Sequence, residues 1–443
     1  MFSHCIRVVM VLSFAIGNIA TADDTPPVQA VPEISALVPE LEGLYRDLHE
    51  HPELGFHEER TASALAKRLQ ALGFEVTTGV GQTGLVAILR NGPGPVVMLR
   101  TELDALPIEE KTGLPFASKA KGTDSQGNVV AVSHACGHDL HMTGWYGAAK
   151  IMVSRRNAWH GTLMLVGQPA EEVNRGAAAM LADGLFTRFP KPDFAISMHD
   201  EPSLPSGTVG FHAGLFRASL DSVDVTVYGR GGHGAKPQMT VDPIVLAARA
   251  ILGIQTIVSR ETDPLSPAVV TIGSIHGGSA GNSIPDEVRM LMTVRSYDEK
   301  VRKHLLASIK RQLDAEAAAV DAPSPPSIKV TPGAEAVYND PEVTARLVAA
   351  LRRDLGPDSA VEMPAKMTSE DFSAYGRAGV RAVLLHIGAV NPAALASGAK
   401  LPDLHSPQWF PELEPTLRSL VSAEVVMLTE LLAAPRPLNA KLD

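Results

Sequence analysis

Cysteine is nearly absent from this 443-residue chain, which has only Cys5 and Cys136. The sequence also has no block of basic residues, and its formal net charge is −10. A protein that binds nucleic acid usually carries a basic patch, so nucleic acid is not an expected partner. There is no internal repeat and no long low-complexity segment, and 45% of the residues are apolar, which is the composition of a globular protein.

The N-terminus has the pattern of a targeting segment. Arg7 is the only charged residue before position 23, and residues 8–16 form an apolar run that is too short to span a bilayer. Ala20-Thr21-Ala22 fits a signal-peptidase site, so we expect a signal peptide over residues 1–22 and a periplasmic or secreted protein without a membrane anchor. The alternative is an uncleaved anchor. Cleavage would leave Cys136 alone and exclude any internal disulfide.

Apolar strands and helices alternate along most of the chain, for example in a helix expected over residues 177–185, and this alternation predicts the α/β class. Residues 217–333 differ, because they begin with a strictly alternating strand and follow a β-α-β-β-α-β order that matches the ferredoxin-like motif. We therefore predict a catalytic domain in two parts, residues 33–216 and 334–435, with residues 217–333 as an inserted α+β domain.

The segment His134-Ala-Cys-Gly-His-Asp-Leu-His141 holds three of the 15 histidines. Within it, Cys136 and His138 offer a thiolate and an imidazole two residues apart, and these are donors that zinc and other transition metals prefer. The alternative is a buried free cysteine beside surface histidines. Metal ligation would also explain how a lone thiol persists in an exported protein.

Polar clusters follow the ends of four further predicted strands, where open α/β sheets bind their ligands. Each of these clusters alone is at least as typical of a solvated turn or a surface residue, but five clusters in one chain indicate a shared site. One cysteine, three histidines and one or two carboxylates suit two metal ions. The residues are Glu102 and Asp104 after strand 96–99, Glu171 and Glu172 after 163–167, His199 after 194–197, and His405 after 401–402.

The predicted insert adds two glycine-rich loops, residues 229–235 with His233 and residues 277–285 with Asn282. Glycines allow tight turns and close approach of the backbone to another group. Asn282 could donate a hydrogen bond to an oxyanion or a carboxylate. The plain alternative for the first loop is a hairpin turn that happens to contain a histidine.

Several strings together resemble the metallopeptidase family of aminoacylases, carboxypeptidase G and dipeptidases. The resemblance extends over nearly the whole chain after residue 22 and is strongest to the N-acyl-amino-acid amidohydrolases, which include hippurate hydrolases and plant auxin-conjugate hydrolases. The strings are HPELGF at 51–56, DALP at 104–107, ACGHD at 135–139, QPAEE at 168–172, GGHGA at 231–235, SEDF at 369–372 and LHSP at 404–407.

The resemblance implies a role for each matching residue. It implies an aminopeptidase-like domain with a mixed sheet and helices on both faces, and an insert that acts as lid and dimerisation domain of a homodimer. Glu171 would be the general base, Asp104 would support the ligands, His233 would reach the other subunit's site to stabilise the oxyanion, and Asn282 would contact the substrate. The implied metal ligands are Cys136, His138, Glu172, His199 and His405.

Three positions depart from the usual pattern of this branch. Glu102 stands where aspartate is common, Met142 where threonine is common, and Gly281 where a bulkier residue is usual. These positions lie beside the predicted ligands or at the rim of the substrate site. They leave the predicted ligand set intact but weaken any transfer of substrate preference.

The resulting hypothesis is an exported amidohydrolase with two divalent metal ions (zinc, manganese, cobalt or nickel) that cleaves small N-acyl amino acids or related amides. Two alternatives keep the fold: a dipeptidase or carboxypeptidase of the same family, and a non-catalytic binding protein. A two-metal phosphoesterase is a further rival. It would usually need a basic group for the phosphate, and the sequence shows no cluster of arginine or lysine beside the five strand ends.

Overall fold

The computed structural model describes residues 31–433, so the predicted signal peptide lies outside the described residues. The chain falls into three consecutive segments. The first contains α1 (Ile34–Glu50), α2 (Glu59–Ala71), β1 (Glu75–Val80), β2 (Gly84–Asn91), β3 (Val96–Glu102), β4 (Lys121–Thr123), β5 (Val129–Ala131), α3 (His138–Ser154), β6 (Gly161–Gln168), α4 (Gly176–Ala182), α5 (Leu185–Arg188), β7 (Phe194–Pro205), β8 (Val209–Phe211) and β9 (Gly214–Arg217).

The second segment contains β10 (Asp221–Tyr228), β11 (Gly232–His233), α6 (Pro243–Thr256), β12 (Ala268–His276), β13 (Ser283–Ile284), β14 (Glu287–Ser296), α7 (Glu299–Ala319) and β15 (Ser327–Pro332). The third contains β16 (Val337–Asn339), α8 (Pro341–Leu355), β17 (Ala360–Glu362), α9 (Ser373–Arg377), β18 (Arg381–Val390), α10 (Pro392–Ala396) and α11 (Leu413–Leu432).

The first and third segments share one mixed sheet of eight strands, in the order β1-β2-β6-β3-β7-β18-β8-β17. Its four central strands, β6, β3, β7 and β18, are parallel neighbours. β1 and β2 pair antiparallel to their neighbours, whereas β8 is antiparallel to β18 and parallel to β17. The carboxyl ends of the central strands therefore meet at one edge, where ligands bind in open sheets.

The sheet is buried on both faces, as a run such as Val-Val-Met-Leu in β3 requires. Val97 and Leu99 point into one apolar cluster with α1, α3, α8 and α11. Met98 points to the opposite face and packs with residues of α4 and α9. Side chains of a strand alternate between faces, so one apolar strand supplies both cores. The predicted α/β class with helices on both faces is confirmed.

The second segment forms a separate four-stranded antiparallel sheet in the order β12-β14-β10-β15, and its helices α6 and α7 pack on one face. Its elements follow the ferredoxin-like order predicted from the sequence. In β10 every second residue is buried, which agrees with the alternating pattern. The helical stretch Pro243–Glu261 is long and apolar enough to cross a membrane by length and composition, a test that a core helix of a globular domain also passes.

Two details of the predicted fold are wrong. Residues 401–402 form no strand, and His405 lies in a loop held by a hydrogen bond from its amide to the Ala135 carbonyl (2.7 Å). The helix expected over residues 177–185 is broken at Gly184, which adopts a left-handed φ of 87° and separates α4 from α5. Glycine tolerates that backbone conformation without strain, so the chain can turn there.

Candidate metal centre and active site

The five predicted ligands come together at the carboxyl edge of the main sheet. Four of them line one cavity of about 490 Å³, and His138 is buried directly beneath it. The Cys136 Sγ atom lies 3.2 Å from His405 Nε2 and 3.6 Å from His199 Nε2, and Glu172 Oε2 lies 3.4 Å from His405 Nε2. Donor atoms at these separations can share one or two metal ions.

The local sequence around Cys136 and His138 explains how both ligands reach the site. His138 is the first residue of α3, and Gly137 before it has a left-handed φ of 73°. A Cβ atom at Gly137 would lie only 2.3 Å from Asp200 Oδ2, so a glycine is required between the two ligands. The His138 Nδ1 atom bonds the Asp104 carbonyl oxygen at 2.7 Å, which leaves Nε2 free to face the cavity.

His199 is oriented in the same manner. It lies within β7, and its Nδ1 atom bonds the Asp200 carbonyl oxygen at 2.9 Å, which directs Nε2 toward Cys136. His405 has a left-handed φ of 63°, which is uncommon outside glycine and is consistent with a functional constraint on its loop. Burial and the nearby His138 lower the pKa of His405, which favours the neutral imidazole that binds metals.

Unpartnered polar atoms indicate that a cation belongs between these side chains. His138 Nε2 and Glu172 Oε1 are both buried, 3.9 Å apart, and neither has a hydrogen-bond partner. Burial, with Glu172 as the next cause, raises the pKa of the Cys136 thiol, and burial raises the pKa of Glu172 to about 7. Buried groups left in this state are costly, whereas a divalent cation would satisfy all of them. The residues present therefore fit a metal centre.

Glu171 is buried at the wall of the same cavity, next to Glu172 in the chain. Burial raises the pKa of Glu171 well above its ordinary value, and the charges of Glu370, Glu172 and Asp371 act in the same direction. A carboxyl group with a raised pKa, adjacent to ligand atoms and facing a cavity, can accept and return a proton near neutral pH. This is the geometry expected for the predicted general base.

Two buried carboxylates hold the backbone on either side of Glu171. The Ala170 amide donates to Glu58 Oε1 at 2.8 Å, and the Glu172 amide donates to Asp104 Oδ2 at 2.9 Å. Ala170 has a left-handed φ of 51°, which is unfavourable for alanine and needs such support. The hydrogen bond from the Glu172 amide places Asp104 beside this predicted ligand, and the supporting role of Asp104 stays a prediction. No local sequence pattern pointed to Glu58.

A buried arginine beneath the site was also missed. Arg100 is 1% exposed and contacts three carboxylates, with Glu102, Glu370 (2.8 Å) and Asp371 (3.1 Å) around its guanidinium. Its Nε donates to Gln168 at 2.9 Å. Since these acids would otherwise be buried without a counter-charge, Arg100 makes their burial beside the site tolerable. Its position directly after the apolar run 96–99 was the only available signal.

His141 contacts both Glu102, which pairs with Arg100, and Asp200, which is next to the predicted ligand His199. It is not itself one of the five predicted ligands. Its Nδ1 atom lies 3.0 Å from Glu102 Oε2, and its Nε2 atom lies 3.2 Å from Asp200 Oδ1. Asp200 in turn accepts a hydrogen bond from the Trp409 indole at 3.1 Å. The segment 134–141 thus contains one predicted metal ligand, His138, and one histidine, His141, that contacts the buried carboxylates beneath the site.

The structure brings His233 and Asn282 together, but not at the cavity of their own chain. His233 lies in β11, which pairs with β13, and the Gly234 amide donates to the Asn282 carbonyl at 2.9 Å. Both residues are exposed, and neither lines the cavity. Their predicted roles at the oxyanion and the substrate remain predictions.

The expectation that no basic cluster adjoins the site is wrong. Arg217, Arg295 and Lys366 all line the cavity. They are distant in the sequence, and the fold joins them through one segment: Arg217 donates to Thr368, and Arg295 donates to the Met367 carbonyl at 3.0 Å. Because basic groups are present, the argument made from the sequence against a phosphoesterase does not hold. Similarity to known proteins distinguishes the two classes of enzyme.

The model of a known family, described as Peptidase family M20/M25/M40, matches residues 98–405. The chain is 36% identical to N-acetyl-L-cysteine deacetylase from Bacillus subtilis (strain 168) over 346 residues, which is 77% of this chain and 79% of that protein. It is 42% identical to hippurate hydrolase from Campylobacter jejuni over 274 residues, covering 62% and 68%.

Among solved structures, the chain is similar to a Bacillus subtilis protein described as a dinuclear metal binding peptidase from the M20 family. The TM-score is 0.73 with 29% identity, and the match covers 90% of this chain and 99% of that one. The resemblance inferred from the motifs is thereby confirmed. The chain belongs to peptidase family M20/M25/M40 and is a metal-dependent hydrolase that acts on amide bonds.

Proposed function

We propose that this protein is exported and hydrolyses N-acyl amino acids, releasing a carboxylate and a free amino acid at a centre of two divalent metal ions. The observation that carries the proposal is the position of Glu171, buried on the cavity wall beside the unpartnered His138 Nε2 and Glu172 Oε1 atoms. The names of the relatives, a deacetylase of acetylcysteine and a hippurate hydrolase, support an acyl-amino-acid substrate.

In the proposed mechanism, Cys136, His138, Glu172, His199 and His405 hold the metal ions. Bound divalent ions supply the positive charge that lowers the pKa of a water molecule toward neutrality. Glu171 accepts a proton from that water molecule while the oxygen of the water attacks the amide carbonyl carbon. Glu171 then donates the proton to the leaving nitrogen as the carbon–nitrogen bond breaks, which yields the carboxylate and the amine.

Arg295 is the residue that we assign to the substrate's α-carboxylate. It lies at the end of β14, is half-buried, and lines the cavity with Glu171. Within residues 31–433 it has no carboxylate partner, and its one hydrogen bond is to a backbone carbonyl. Burial lowers the pKa of Arg295, so pairing with a substrate carboxylate would relieve a desolvated charge.

A homodimer would complete the site. His233 and Asn282 are exposed on the insert and away from their own cavity, so their predicted roles require a second copy. Helix α6 of the same insert exposes Ile244, Val245 and Leu252, and an exposed apolar face of this kind supports an interface. Each subunit would then supply His233 to stabilise the oxyanion in its partner's site, which can contribute about 3–4 kcal/mol.

The test combines metal analysis with detection of product. Purified protein should contain close to two divalent ions per chain and should release ninhydrin-reactive amino acid from N-acetyl and N-benzoyl amino acids. Dipeptides in the same panel test the dipeptidase alternative, and p-nitrophenyl phosphate tests the phosphoesterase. Phosphate ester turnover without release of amino acid would contradict the proposal.

A further inference from the structure

Arg217 is a buried cation on the wall of the cavity. Its side chain is 6% exposed, and it has no carboxylate partner within residues 31–433. One terminal nitrogen donates to the Thr368 hydroxyl and the other lies 2.9 Å from His386 Nε2, while Nε has no partner. A buried guanidinium held only by neutral groups is costly, so its retention beside a catalytic cavity calls for an anion.

Lys366 is the neighbour of Arg217 across a parallel β-bridge, which places two like charges side by side. Such pairs are destabilising unless a negative group lies between or beside them. The only acid in contact with this pair in the described part of the chain is Glu201, which pairs with Lys366 and with His386 Nδ1 (2.8 Å). Glu201 therefore neutralises Lys366, and the charge of Arg217 is left without a carboxylate in the described part of the chain.

The position of this cluster relates it to the substrate. The His386 ring lies 6.0 Å from the ring of His199, a predicted metal ligand, and Arg217 is the next side chain beyond His386. Arg217 and Lys366 both line the cavity of about 490 Å³ that also contains Glu171 and Arg295. A cavity of this size holds a small acyl amino acid, and Arg217 on its wall can contact a polar group of that substrate.

We propose that Arg217, with Lys366 beside it, binds a second carboxylate of the substrate, so that the preferred substrates are acyl amino acids with two carboxylates. This inference rests on the proposed function, in which Arg295 takes the α-carboxylate. The second carboxylate belongs either to the amino-acid side chain or to the acyl group. Both sources present the same chemistry to a guanidinium.

The test uses two pairs of substrates that differ only in charge. The first pair is N-acetyl-L-glutamate and N-acetyl-L-glutamine. The second pair is N-succinyl-L-alanine and the same compound with the free succinyl carboxylate converted to an amide. We expect kcat/KM to favour the acid of one pair by about 10- to 100-fold, as one charge-assisted contact would give. The favoured pair identifies where the second carboxylate lies.

Variants then assign the preference to its residue. Arg217→Met should bring the ratio of kcat/KM for the acid to kcat/KM for the amide close to one. Lys366→Met should also lower this ratio, and it tests the cluster while the buried arginine stays in place. Arg418→Met is the matched control, because Arg418 is on α11 and pairs with Glu414, away from the cavity. The control should keep the ratio of the unmodified protein.

Equal kcat/KM for acid and amide in both pairs would overturn this inference while leaving the proposed function intact. A preference for the acid that survives in both Arg217→Met and Lys366→Met would also overturn it. Release of amino acid from none of the four substrates, nor from the neutral acyl amino acids of the wider panel, would instead overturn the proposed function and this inference with it.

Discussion

Replacing Glu58 by alanine should displace Glu171, the proposed general base, while the metal ions stay bound. The Glu58 carboxylate is fully buried, accepts the Ala170 amide at 2.8 Å, and contacts the Thr83 hydroxyl. Ala170 directly precedes Glu171 and has an unfavourable left-handed backbone. Without the carboxylate, the Ala170 amide is left unpaired and the strained residue can relax, which moves Glu171.

The magnitude follows from the lost contact. Leaving a buried amide without its acceptor costs about 1–3 kcal/mol, and every 1.36 kcal/mol corresponds to a factor of ten in rate. If this stabilisation holds the productive loop, kcat in Glu58→Ala should fall by about 10- to 100-fold. KM should change by less than about threefold, because Glu58 does not line the cavity. Two metal ions per chain should remain.

The conservative variant provides the decisive comparison. In Glu58→Gln the amide oxygen can still accept from Ala170 and the amide nitrogen can donate to Thr83, so kcat should stay within about threefold of the unmodified protein. Glu59→Ala, at the exposed neighbouring position, is the matched control and should leave kcat unchanged. Steady-state release of amino acid and metal analysis supply the measurements. An unaltered kcat in Glu58→Ala, or an equal loss in Glu58→Gln, would refute this reasoning.

Three further predictions concern the metal, the buried charges and pH. Cys136→Ser should weaken metal affinity by at least about tenfold, since mutation of residues that merely hydrogen-bond to metal ligands already lowers affinity by that factor. Activity should return with excess metal, and a fully metallated variant at ordinary metal concentration would contradict the ligand role. Arg100→Met should lower the free energy of unfolding by about 3–5 kcal/mol in urea titrations, because three buried acids lose their counter-charge, and an unchanged midpoint would contradict it. Burial lowers the pKa of His49, but Asp139 and Glu110 outweigh burial and raise it to about 10. The stabilisation is complete below the ordinary value of about 6.5 and is lost as pH rises toward 10, so unfolding free energy should fall in that window and fall less in His49→Gln.

The sequence was sufficient for the features that depend on one segment. The apolar strand before Glu102 and the strand before Glu171 were visible as short runs, and their parallel pairing brings both ends to one edge. The spacing of Cys136 and His138 predicted two neighbouring ligands, and the structure brings both side chains into one cluster. The ferredoxin-like order of the insert was readable because its first strand alternates strictly. In each case the pattern lies within a few neighbouring residues.

The missed features depend on contacts between distant segments. Arg100 meets Glu370 across 270 positions, and Arg217 meets His386 across 169, so no local pattern announces either contact. His405 reaches the site from a loop that is fixed by a hydrogen bond to the Ala135 carbonyl rather than from a strand end. The folded chain alone determines which of these charges find partners. That is why the cationic wall of the cavity was absent from the sequence-based prediction.

Glu171→Gln separates proton transfer by Glu171 from metal binding by the other side chains. The variant keeps the shape of the side chain but cannot act as a base. We predict that it retains the metal content of the unmodified protein and loses at least about 100-fold in kcat on its best acyl amino acid. A fully metallated Glu171→Gln protein with near-normal kcat would contradict the account.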